Sequence, residues 1–388
     1  MSAPDEPILT EQPLAIHPGR AGWPWEGGAP VSEPASADRF GPRVSVVTPS
    51  FRQAAFLEAT IRSVLLQGYP NLEYLIMDGG SMDGSVDIIK RYARYLAYWE
   101  SQPDAGQADA INRGWRRAQG DILAYLNSDD LYLPGAIQRA VEYLERHPDT
   151  GIVYGPCQVV DEQGRSCGGT REMADCSLPR LLRHPLPQPT MFFRRWVFDR
   201  IGWLDQSFHC VMDWDLTIRA VIEGIPIGRL SGDPLAAVRV WSGAKTSNLF
   251  EQCVEESLRL RDKLLSRSNL SPDVVREIRL SKASAFFWPA YEYYIRGRTR
   301  AARQLLHRAV ATRPGIVSYP EFMGLYLRTW LGPSGSRTAR RLKAHIATRV
   351  RQIGIVSSAG TGGTGGWRLQ SPGVDPLADT HARSDGRR

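Results

Sequence analysis

The sequence predicts a doubly wound α/β fold with a mostly parallel sheet, followed by a C-terminal helical extension. From Val44 onward, short β-branched runs alternate with segments whose apolar residues recur at helical spacing. Alternation of this kind is typical of parallel strands joined by crossover helices. From about residue 250 the pattern is helical throughout.

The elements follow one another in a regular order. The run VSVVTPSF is a predicted strand that ends in a Pro/Ser turn, and AAFLEATIRSVLLQG is the helix after it. LEYLIMD is the second strand, and it enters a glycine-rich turn before the helices SVDIIKRYARYL and QADAINRGWRRAQG. ILAYL is the next strand. We then expect a hairpin after Ile152 and one helix, WDLTIRAVIEG, among short strands.

Composition divides the chain into four predicted regions. Residues 1–40 are rich in Pro, Gly, Ala and Glu, which predicts a disordered N-terminal arm. Residues 41–250 form the α/β domain and residues 251–352 the helical region. Residues 353–388 contain SSAGTGGTGG and are predicted to be a disordered Gly-rich tail.

Composition and charge favour an ordinary globular protein. Of the 388 residues, 42% are hydrophobic and 23% are charged. The net charge of +7 suits phosphate-bearing ligands or an anionic membrane surface, although a solvated basic surface is an equally simple explanation. Five cysteines without a CxxC pair indicate neither a disulfide framework nor a zinc site, which fits a cytoplasmic protein. The sequence shows no signal peptide and no apolar run of about 20 residues, so we expect any membrane contact to be peripheral.

The strand ILAYL ends in two adjacent acids, Asp129 and Asp130, which repel each other near a core. A buried carboxylate is costly unless a cation, hydrogen-bond donors or water lie beside it. A hard divalent ion, Mg²⁺ or Mn²⁺, that also binds a diphosphate would stabilise the pair. The alternative is that the two acids cap the helix that begins near Pro134.

Three further motifs place polar residues where strands end or helices begin. MDGGSMDGS puts Asp78 at the end of a strand, and QPDAGQADAINRG carries Asp109 and Asn112 on neighbouring faces of a helix. CVMDWDLTIRA places Asp213 and Asp215 around a Trp at a helix start, where the helix N-terminus is expected to keep the pKa of a general base low. Ordinary turns and helix caps remain the alternative for each motif.

Taken in order, these motifs resemble family 2 glycosyltransferases, which have the GT-A fold and transfer a sugar from a nucleotide-diphosphate donor. The resemblance covers residues 44 to about 246. It implies a GT-A-type, Rossmann-like sheet for residues 41–250, and the helical region is compatible with the C-terminal extensions that many such enzymes carry.

The resemblance also implies roles for matching residues. Asp213 matches the catalytic base, and Asp129 matches the metal-binding acid of an Asp-x-Asp motif, which implies Mg²⁺ or Mn²⁺ as the cofactor. Phe51 is implied to stack near the nucleotide base. The residues implied to contact or line the donor are Pro49, Ser50, Phe51, Asp78, Asp104, Gln107, Asp109, Asn112, Asn127 and Ser128.

The sequence departs from the family pattern at four positions. Gly79 replaces a frequent second acid after the strand, and Asn127 replaces the first acid of Asp-x-Asp. Trp241 stands where relatives often have a His that completes the metal sphere, so the implied ligands are Asp129, the diphosphate and water. Met212 replaces a Glu before the base.

The implied reaction is inverting transfer to an acceptor hydroxyl, in cell-surface polysaccharide or glycolipid assembly. The expected partners are a nucleotide-diphosphate sugar and a saccharide or lipid-linked acceptor, and not nucleic acid. The alternative is a catalytically silent nucleotide-sugar-binding protein of the same fold, with Asn127 and Trp241 as signs of decay. A nucleotidyltransferase would need a basic Gly-rich loop near the first strand, where the sequence offers only Arg52.

The helical region has two interpretations. Its basic and aromatic residues are suited to peripheral contact with anionic lipid at the inner face of the membrane, where a lipid-linked acceptor is presented. The alternative is a packed hairpin around Gly297 with a solvated basic face. The residues concerned are Phe286, Trp288, Tyr291, Tyr294, Arg296, Arg298 and Arg300.

Overall fold

A computed structural model of the protein describes residues 22–25, 41–245 and 249–330. The strands are β1 (Val44–Ser50), β2 (Leu72–Asp78), β3 (Tyr98–Ser101), β4 (Ile122–Tyr125), β5 (Leu131–Tyr132), β6 (Ile152–Tyr154), β7 (Cys157–Val160), β8 (Ser166–Arg171), β9 (Phe192–Arg194), β10 (Ile227–Arg229) and β11 (Ala236–Arg239). The helices are α1 (Ala54–Leu65), α2 (Ser85–Tyr92), α3 (Gln107–Arg117), α4 (Ala136–Arg146), α5 (Leu178–Leu181), α6 (Trp196–Ile201), α7 (Met212–Ile222), α8 (Phe250–Leu265), α9 (Pro272–Ser284), α10 (Phe287–Ile295) and α11 (Thr299–Thr312).

The main sheet confirms the predicted fold class. Its seven strands have the order β10-β6-β9-β4-β1-β2-β3. Strands β1 to β4 run parallel, and β10 is parallel to β6. Strand β9 is antiparallel to both of its neighbours, β4 and β6. Strand β3 was not predicted, because its edge position leaves its side chains half-buried or exposed and its apolar pattern weak.

Strand β1 lies in the interior of this sheet, and all seven of its residues are buried. Helix α3 packs closely against it: a Cβ on Gly114 would lie 2.6 Å from Val47 Cγ1, so glycine permits the approach. The next residue, Trp115, is fully buried and donates its indole N–H to the Ala124 carbonyl at 3.1 Å. These contacts fix the carboxyl ends of β1 and β4 relative to α3.

A second sheet has the order β5-β11-β7-β8. The antiparallel pair β7–β8 is the hairpin expected after Ile152. Strand β11 pairs with β5, which follows the two acids directly, and with β7. This pairing brings residues near position 240 beside Asp129 and Asp130.

Three residues of the predicted N-terminal arm, Trp23, Pro24 and Trp25, pack against the α/β domain. Trp23 donates to the Tyr132 carbonyl at 2.7 Å, and Arg62 Nε donates to the Pro24 carbonyl at 3.1 Å. The guanidinium of Arg62 also lies 5.2 Å from the ring centroid of Trp25. The rest of the predicted arm, residues 1–21 and 26–40, and the predicted tail, 353–388, lie outside the described residues.

The chain divides into two compact units, residues 1–256 and 257–388. In the second unit the predicted helical pattern is interrupted between α9 and α10. Pro289 accounts for the interruption, since a proline cannot donate the helical hydrogen bond to residue 285. Residues 320–330 are also helical.

Helices α10 and α11 form the expected hairpin around Gly297, which has a φ of 79°. Phe286 and Tyr294 are buried, while Arg296, Arg298 and Arg300 are exposed. The described side chains therefore match a packed hairpin with a solvated basic face. None of the described helices has both the length and the apolar character needed to cross a membrane.

Candidate active site

The carboxyl ends of β1, β2 and β4 meet at one edge of the main sheet. Ser50 lies opposite Asp78 in the β1–β2 register, and the Leu126 N–H donates to the Val47 carbonyl at 3.0 Å. Pro49 and Ser50 are both buried at this edge. The Ser50 hydroxyl forms no hydrogen bond with a described residue. A buried hydroxyl of this kind, placed where open α/β sheets bind ligands, fits a ligand contact.

Asp129 and Asp130 face inward rather than into bulk water. Asp130 is 3% exposed, and its two oxygens accept hydrogen bonds from the Arg239 backbone N–H at 3.0 Å and from Asn127 Nδ2 at 3.3 Å. Burial, together with the neighbouring Asp129 charge, raises the pKa of Asp130. Asp129 is half-buried and accepts a 3.0 Å hydrogen bond from Trp241 Nε1 at Oδ2.

Neither acid caps a helix, so the alternative interpretation of this pair is wrong. Helix α4 begins at Ala136, has Gly135 at its N-cap position and carries no acid in its first turn. The turn that holds the acids is instead fixed by Thr60, whose Oγ1 donates to the carbonyls of Ser128 at 2.9 Å and Asp130 at 2.8 Å. Arg239 Nε donates to the Asp129 carbonyl at 2.9 Å, and no sequence pattern had indicated this residue.

A chain of polar contacts leads from the acids toward α7. Asn127 Nδ2 donates to Gln188 Oε1 at 3.0 Å, and Asn127 Oδ1 accepts from Gln107 Nε2 at 2.5 Å. Gln107 Oε1 accepts in turn from Lys245 Nζ at 2.8 Å. Burial lowers the pKa of Lys245, while the charges of Glu256 and Asp213 raise it. The structure thus brings the predicted Gln107 and Asn127 together and adds Gln188 and Lys245.

Asp213 occupies the first turn of α7 and is partly buried. Its Oδ1 accepts the Trp214 backbone N–H at 2.9 Å, and no described residue donates to its Oδ2. Burial raises the pKa of Asp213 to about 6, against the lowering effects of the Trp214 N–H and the Lys245 charge. Asp213 and Asp130 both act electrostatically on the buried Tyr125 phenol and raise its pKa further, so both acids lie near this residue.

The expectation of a low pKa for Asp213 was wrong, and magnitudes explain why. A helix N-terminus stabilises a negative charge by about 0.3–1 kcal/mol. A rise from 3.8 to about 6 corresponds to about 3 kcal/mol in the opposite direction. Desolvation therefore dominates, and the carboxylate is more basic than an ordinary aspartate.

The neighbouring Asp215 has a structural role. It is fully buried and forms an ion pair with Arg219 at 2.7 Å. Arg219 also donates to the carbonyls of Ile201 and Trp203, the latter at 2.9 Å. Through its ion pair with Arg219, Asp215 thus connects the start of α7 with the end of α6.

Three residues that were predicted to contact the sugar donor form hydrogen bonds with other residues of the protein. Asn112 is 1% exposed, and its amide exchanges hydrogen bonds with the Leu204 backbone at 2.8 and 3.1 Å, so its contacts position a loop rather than a ligand. Asp78 is 2% exposed, and both of its oxygens accept hydrogen bonds from the turn or from Ser101. Asp109 accepts from the Ala105 N–H at 3.2 Å and from Gln206 at 3.1 Å.

Phe51 and Asp104, in contrast, are accessible. The Phe51 side chain is 56% exposed, and Asp104 is half-buried. Asp104 Oδ1 accepts the Gly106 N–H at 2.8 Å. Both side chains lie beside Gly79, in the region where the resemblance places the nucleoside.

The acids fit a divalent ion only in company with a diphosphate. Among the described residues, no three His, Cys, Asp or Glu side chains converge on one point. Asp130 is fully engaged, which leaves Asp129 as the protein carboxylate for an ion. A hard cation with one such ligand completes its coordination with phosphate oxygens and water.

The cysteine spacing did not indicate a disulfide, but the structure contains one. Cys210 and Cys253 form a disulfide across a separation of 43 residues, whereas Cys157, Cys167 and Cys176 are free. No local spacing reveals the pair, because the fold of α7 and α8 brings the two residues together.

Sequence relatives agree with this geometry. The model of the family described as Glycosyl transferase family 2 matches residues 45–212. An uncharacterized glycosyltransferase of Mycobacterium tuberculosis is 32% identical over 192 residues, which are 48% of this chain and 71% of that protein. A PGL/p-HBAD biosynthesis glycosyltransferase of Mycobacterium bovis is 30% identical over 182 residues, which are 46% of this chain and 69% of that protein.

Solved structures share the fold. S. aureus TarS in complex with UDP-GlcNAc superposes with a TM-score of 0.54 at 14% identity, over 73% of this chain and 89% of that chain. A mannosyltransferase from Pyrobaculum calidifontis in complex with GDP-Man and Mn²⁺ gives a TM-score of 0.50 at 16% identity, over 77% of this chain and 86% of that chain. With motifs, sheet topology and relatives in agreement, the chain is a glycosyltransferase that belongs to family 2 and has the GT-A fold.

Proposed function

We propose that this enzyme transfers a sugar with inversion from a nucleotide-diphosphate donor to an acceptor hydroxyl, with Asp213 as general base. The observation that carries the proposal is the Asp213 carboxylate, which keeps Oδ2 without a hydrogen bond from a described residue and has a pKa of about 6. Such a group is ionised at neutral pH yet basic enough to accept a proton.

The proposed reaction is a single displacement. The acceptor oxygen forms a bond to the anomeric carbon as the bond from that carbon to the diphosphate oxygen breaks. Asp213 takes the acceptor's proton, and the diphosphate leaves with the electron pair of the broken bond. Because attack comes from the face opposite the leaving group, the anomeric centre inverts.

The remaining residues are proposed to bind the donor. Pro49, Ser50, Phe51, Asp104 and Ser128 surround the nucleoside and its phosphates. Asp78, Asp109 and Asn112 hold the surrounding backbone, as their contacts indicate.

The contact chain from Asn127 through Gln107 to Lys245 is proposed to line the path between the diphosphate and the base. Asp129 is the proposed ligand of Mg²⁺ or Mn²⁺. When bound, the ion neutralises charge that develops on the leaving diphosphate.

The comparisons support a nucleotide-sugar donor, since the two structural neighbours were solved with UDP-GlcNAc and GDP-Man. The name of the M. bovis relative supports an acceptor in glycolipid assembly, with cell-surface polysaccharide as the related class. Peripheral contact with an anionic membrane face is supported by the net charge of +7 and the exposed basic face of α11. The Cys210–Cys253 disulfide, in contrast, is typical of an oxidising compartment and does not favour the expected cytoplasmic location. Salt-sensitive flotation with anionic liposomes tests the membrane contact.

A catalytically silent nucleotide-sugar-binding protein is the second candidate, favoured by Asn127 and Trp241 in place of metal ligands. A panel of nucleotide sugars, screened with and without Mn²⁺ for thermal stabilisation and for release of the nucleoside diphosphate, separates the two. Turnover of a stabilising donor supports the enzyme, and proton NMR of the product then shows whether the anomeric centre has inverted. Tight binding without turnover for every donor and acceptor supports the silent protein.

A further inference from the structure

A cavity of about 370 Å³ lies between α4 and the carboxyl end of β10, and it shares no residue with the candidate active site. One wall is a single face of α4, along which the lining residues recur at helical spacing. The side chains that decide its chemistry are Arg139, Glu142, Tyr143, Arg146, His147 and Arg229. Cavities that bind small molecules have volumes of about 300–1,000 Å³, so this cavity is large enough for a ligand.

The cavity carries net positive charge, because three guanidinium groups and one carboxylate line it. Arg229 forms an ion pair with Glu172, which lies outside the lining. Arg139 and Arg146 form no ion pair with a described carboxylate, and Glu142 is the one acid that lines the cavity with them. The wall formed by α4 therefore favours an anionic ligand.

Backbone carbonyls hold these two arginines in place. Arg139 Nη1 donates to the Asp233 carbonyl at 2.8 Å, and its Nη2 donates to the Ser231 carbonyl at 3.0 Å. Arg146 Nε donates to the Glu142 carbonyl at 3.0 Å. Carbonyls fix a guanidinium group without cancelling its charge, so less side-chain freedom is lost when an anion binds.

Tyr143 and His147 add a flat aromatic surface to the same wall. Their rings are stacked, with centroids 4.2 Å apart and planes 19° apart. His147 Nδ1 donates to the Tyr143 carbonyl at 2.8 Å, which fixes the imidazole. A Cβ on Gly228 would lie 2.7 Å from Tyr143 Cζ, so the phenol ring packs against β10 where that strand has no side chain. A surface of this kind suits the C–H face of a sugar or polyol.

We propose that this cavity binds a phosphate ester of a sugar or another polyol, at a site separate from that of the proposed donor. The planar guanidinium groups match phosphate oxygens, which accept paired hydrogen bonds from them. A cavity of about 370 Å³ has room for more than a phosphate group, and the polyol occupies the remainder beside Tyr143 and His147. The ester is either free in solution or the headgroup of a lipid, two sources with the same chemistry.

Two binding measurements on the full chain, both without metal, test the inference and separate the two sources. Isothermal titration with glycerol 3-phosphate and glucose 6-phosphate detects a free ester. Flotation with phosphatidylcholine vesicles, with and without phosphatidylglycerol, detects a lipid headgroup. Arg146→Gln removes an exposed charge and should weaken the observed binding about 10-fold or more, as expected for a hydrogen bond between charged groups. Arg200→Gln, which changes an exposed arginine of α6, is the matched control and should not weaken it.

A second variant, Arg139→Lys, keeps the positive charge but removes the planar fork, so it should also weaken binding. Melting curves report whether each variant is folded. Binding of a free ester that both variants weaken supports a soluble ligand, and the same result with phosphatidylglycerol vesicles alone supports a lipid headgroup. If the native protein binds neither, or if Arg146→Gln binds as tightly as the native protein, the inference is overturned. Binding of UDP with Mn²⁺ should be equal in Arg146→Gln and the native protein, so the proposed transfer reaction is tested separately.

Discussion

Trp241 donates its indole N–H to Oδ2 of Asp129 at 3.0 Å, across 112 residues of sequence. The indole ring is held by an edge contact with Phe56, with ring centroids 4.8 Å apart. The hydrogen bond occupies Oδ2 and leaves Oδ1 of Asp129 available to the proposed cation. Trp241 is thus an orienting partner of the proposed metal ligand, which argues against its being a sign of decay.

We expect Mn²⁺ binding and nucleotide binding to be coupled, because Asp129 is the one proposed protein ligand and no three His, Cys, Asp or Glu side chains of the described residues could hold an ion by themselves. Titration of Mn²⁺ should show weak binding to the protein alone and much tighter binding with UDP or GDP present. Trp241→Phe keeps an aromatic ring but removes the indole N–H, and should lower Mn²⁺ affinity in the ternary complex about 10-fold. Trp203→Phe, which changes a ring stacked on Phe198, is the control. Equal Mn²⁺ affinity with and without nucleotide would contradict this prediction.

Asp213→Asn should lower the transfer rate about 10²- to 10⁴-fold, the usual contribution of a general base. The donor should still bind, as measured by calorimetry, because Asp213 is proposed to act on the acceptor. In the native enzyme kcat/KM should rise with pH through about 6, since the base must be ionised. Full activity in Asp213→Asn would remove this residue from the base role.

Lys245→Met should shift the rise of kcat/KM with pH, the acid limb of the profile, to higher pH. Removing the Lys245 charge takes away an interaction that lowers the pKa of Asp213, so a higher pH is needed for ionisation. Lys90→Met, at an exposed position of α2, is the control and should leave the limb unchanged. If the maximum of kcat/KM falls but its pH dependence does not shift, Lys245 acts only through its hydrogen bond to Gln107.

Much of the site was predictable because strands that alternate with helices bring their carboxyl ends to one edge. The local pattern placed Asn127 at that edge, the family resemblance implied that Gln107 lines the donor there, and the two side chains are in contact. How deeply each side chain is buried was not predictable. Helical spacing placed Asn112 on a face of α3, but could not show that Leu204 covers it.

Hydrogen-bond partners of the site residues that lie far away in the sequence were also not predicted. Lys245 reaches Gln107 across 138 residues, and Arg239 reaches Asp130 across 109 residues. Such contacts arise from the pairing of β11 with β5 and β7 and from the chain that follows β11, and no local periodicity records them. Burial at Asp213, which reverses the expected direction of its pKa, is a tertiary effect of the same kind.

Asp213→Asn should also stabilise the protein at alkaline pH. Because the folded pKa, about 6, lies above the unfolded value, the native state holds an extra proton between about pH 4 and pH 6. The free energy of unfolding therefore falls as pH rises through that window, and the full cost of up to about 3 kcal/mol remains above it. The variant should melt at a higher temperature than the native protein at about pH 8 and at a similar temperature below about pH 4. The same difference at both pH values would contradict this account, and Asp87→Asn is the control for removing an acid.

The disulfide between Cys210 and Cys253 should stabilise the segment that carries the base. Cys210 lies three residues before Asp213, and its N–H and that of His209 also donate to Glu256 at 2.7 and 2.9 Å. A cross-link over 43 residues contributes about 2–4 kcal/mol to the free energy of unfolding. Cys253→Ser should therefore lower the melting temperature and make it insensitive to reductant, whereas Cys167→Ser, which changes an exposed free thiol, should do neither. A native protein whose melting temperature does not change on reduction would show that this cross-link contributes nothing to stability.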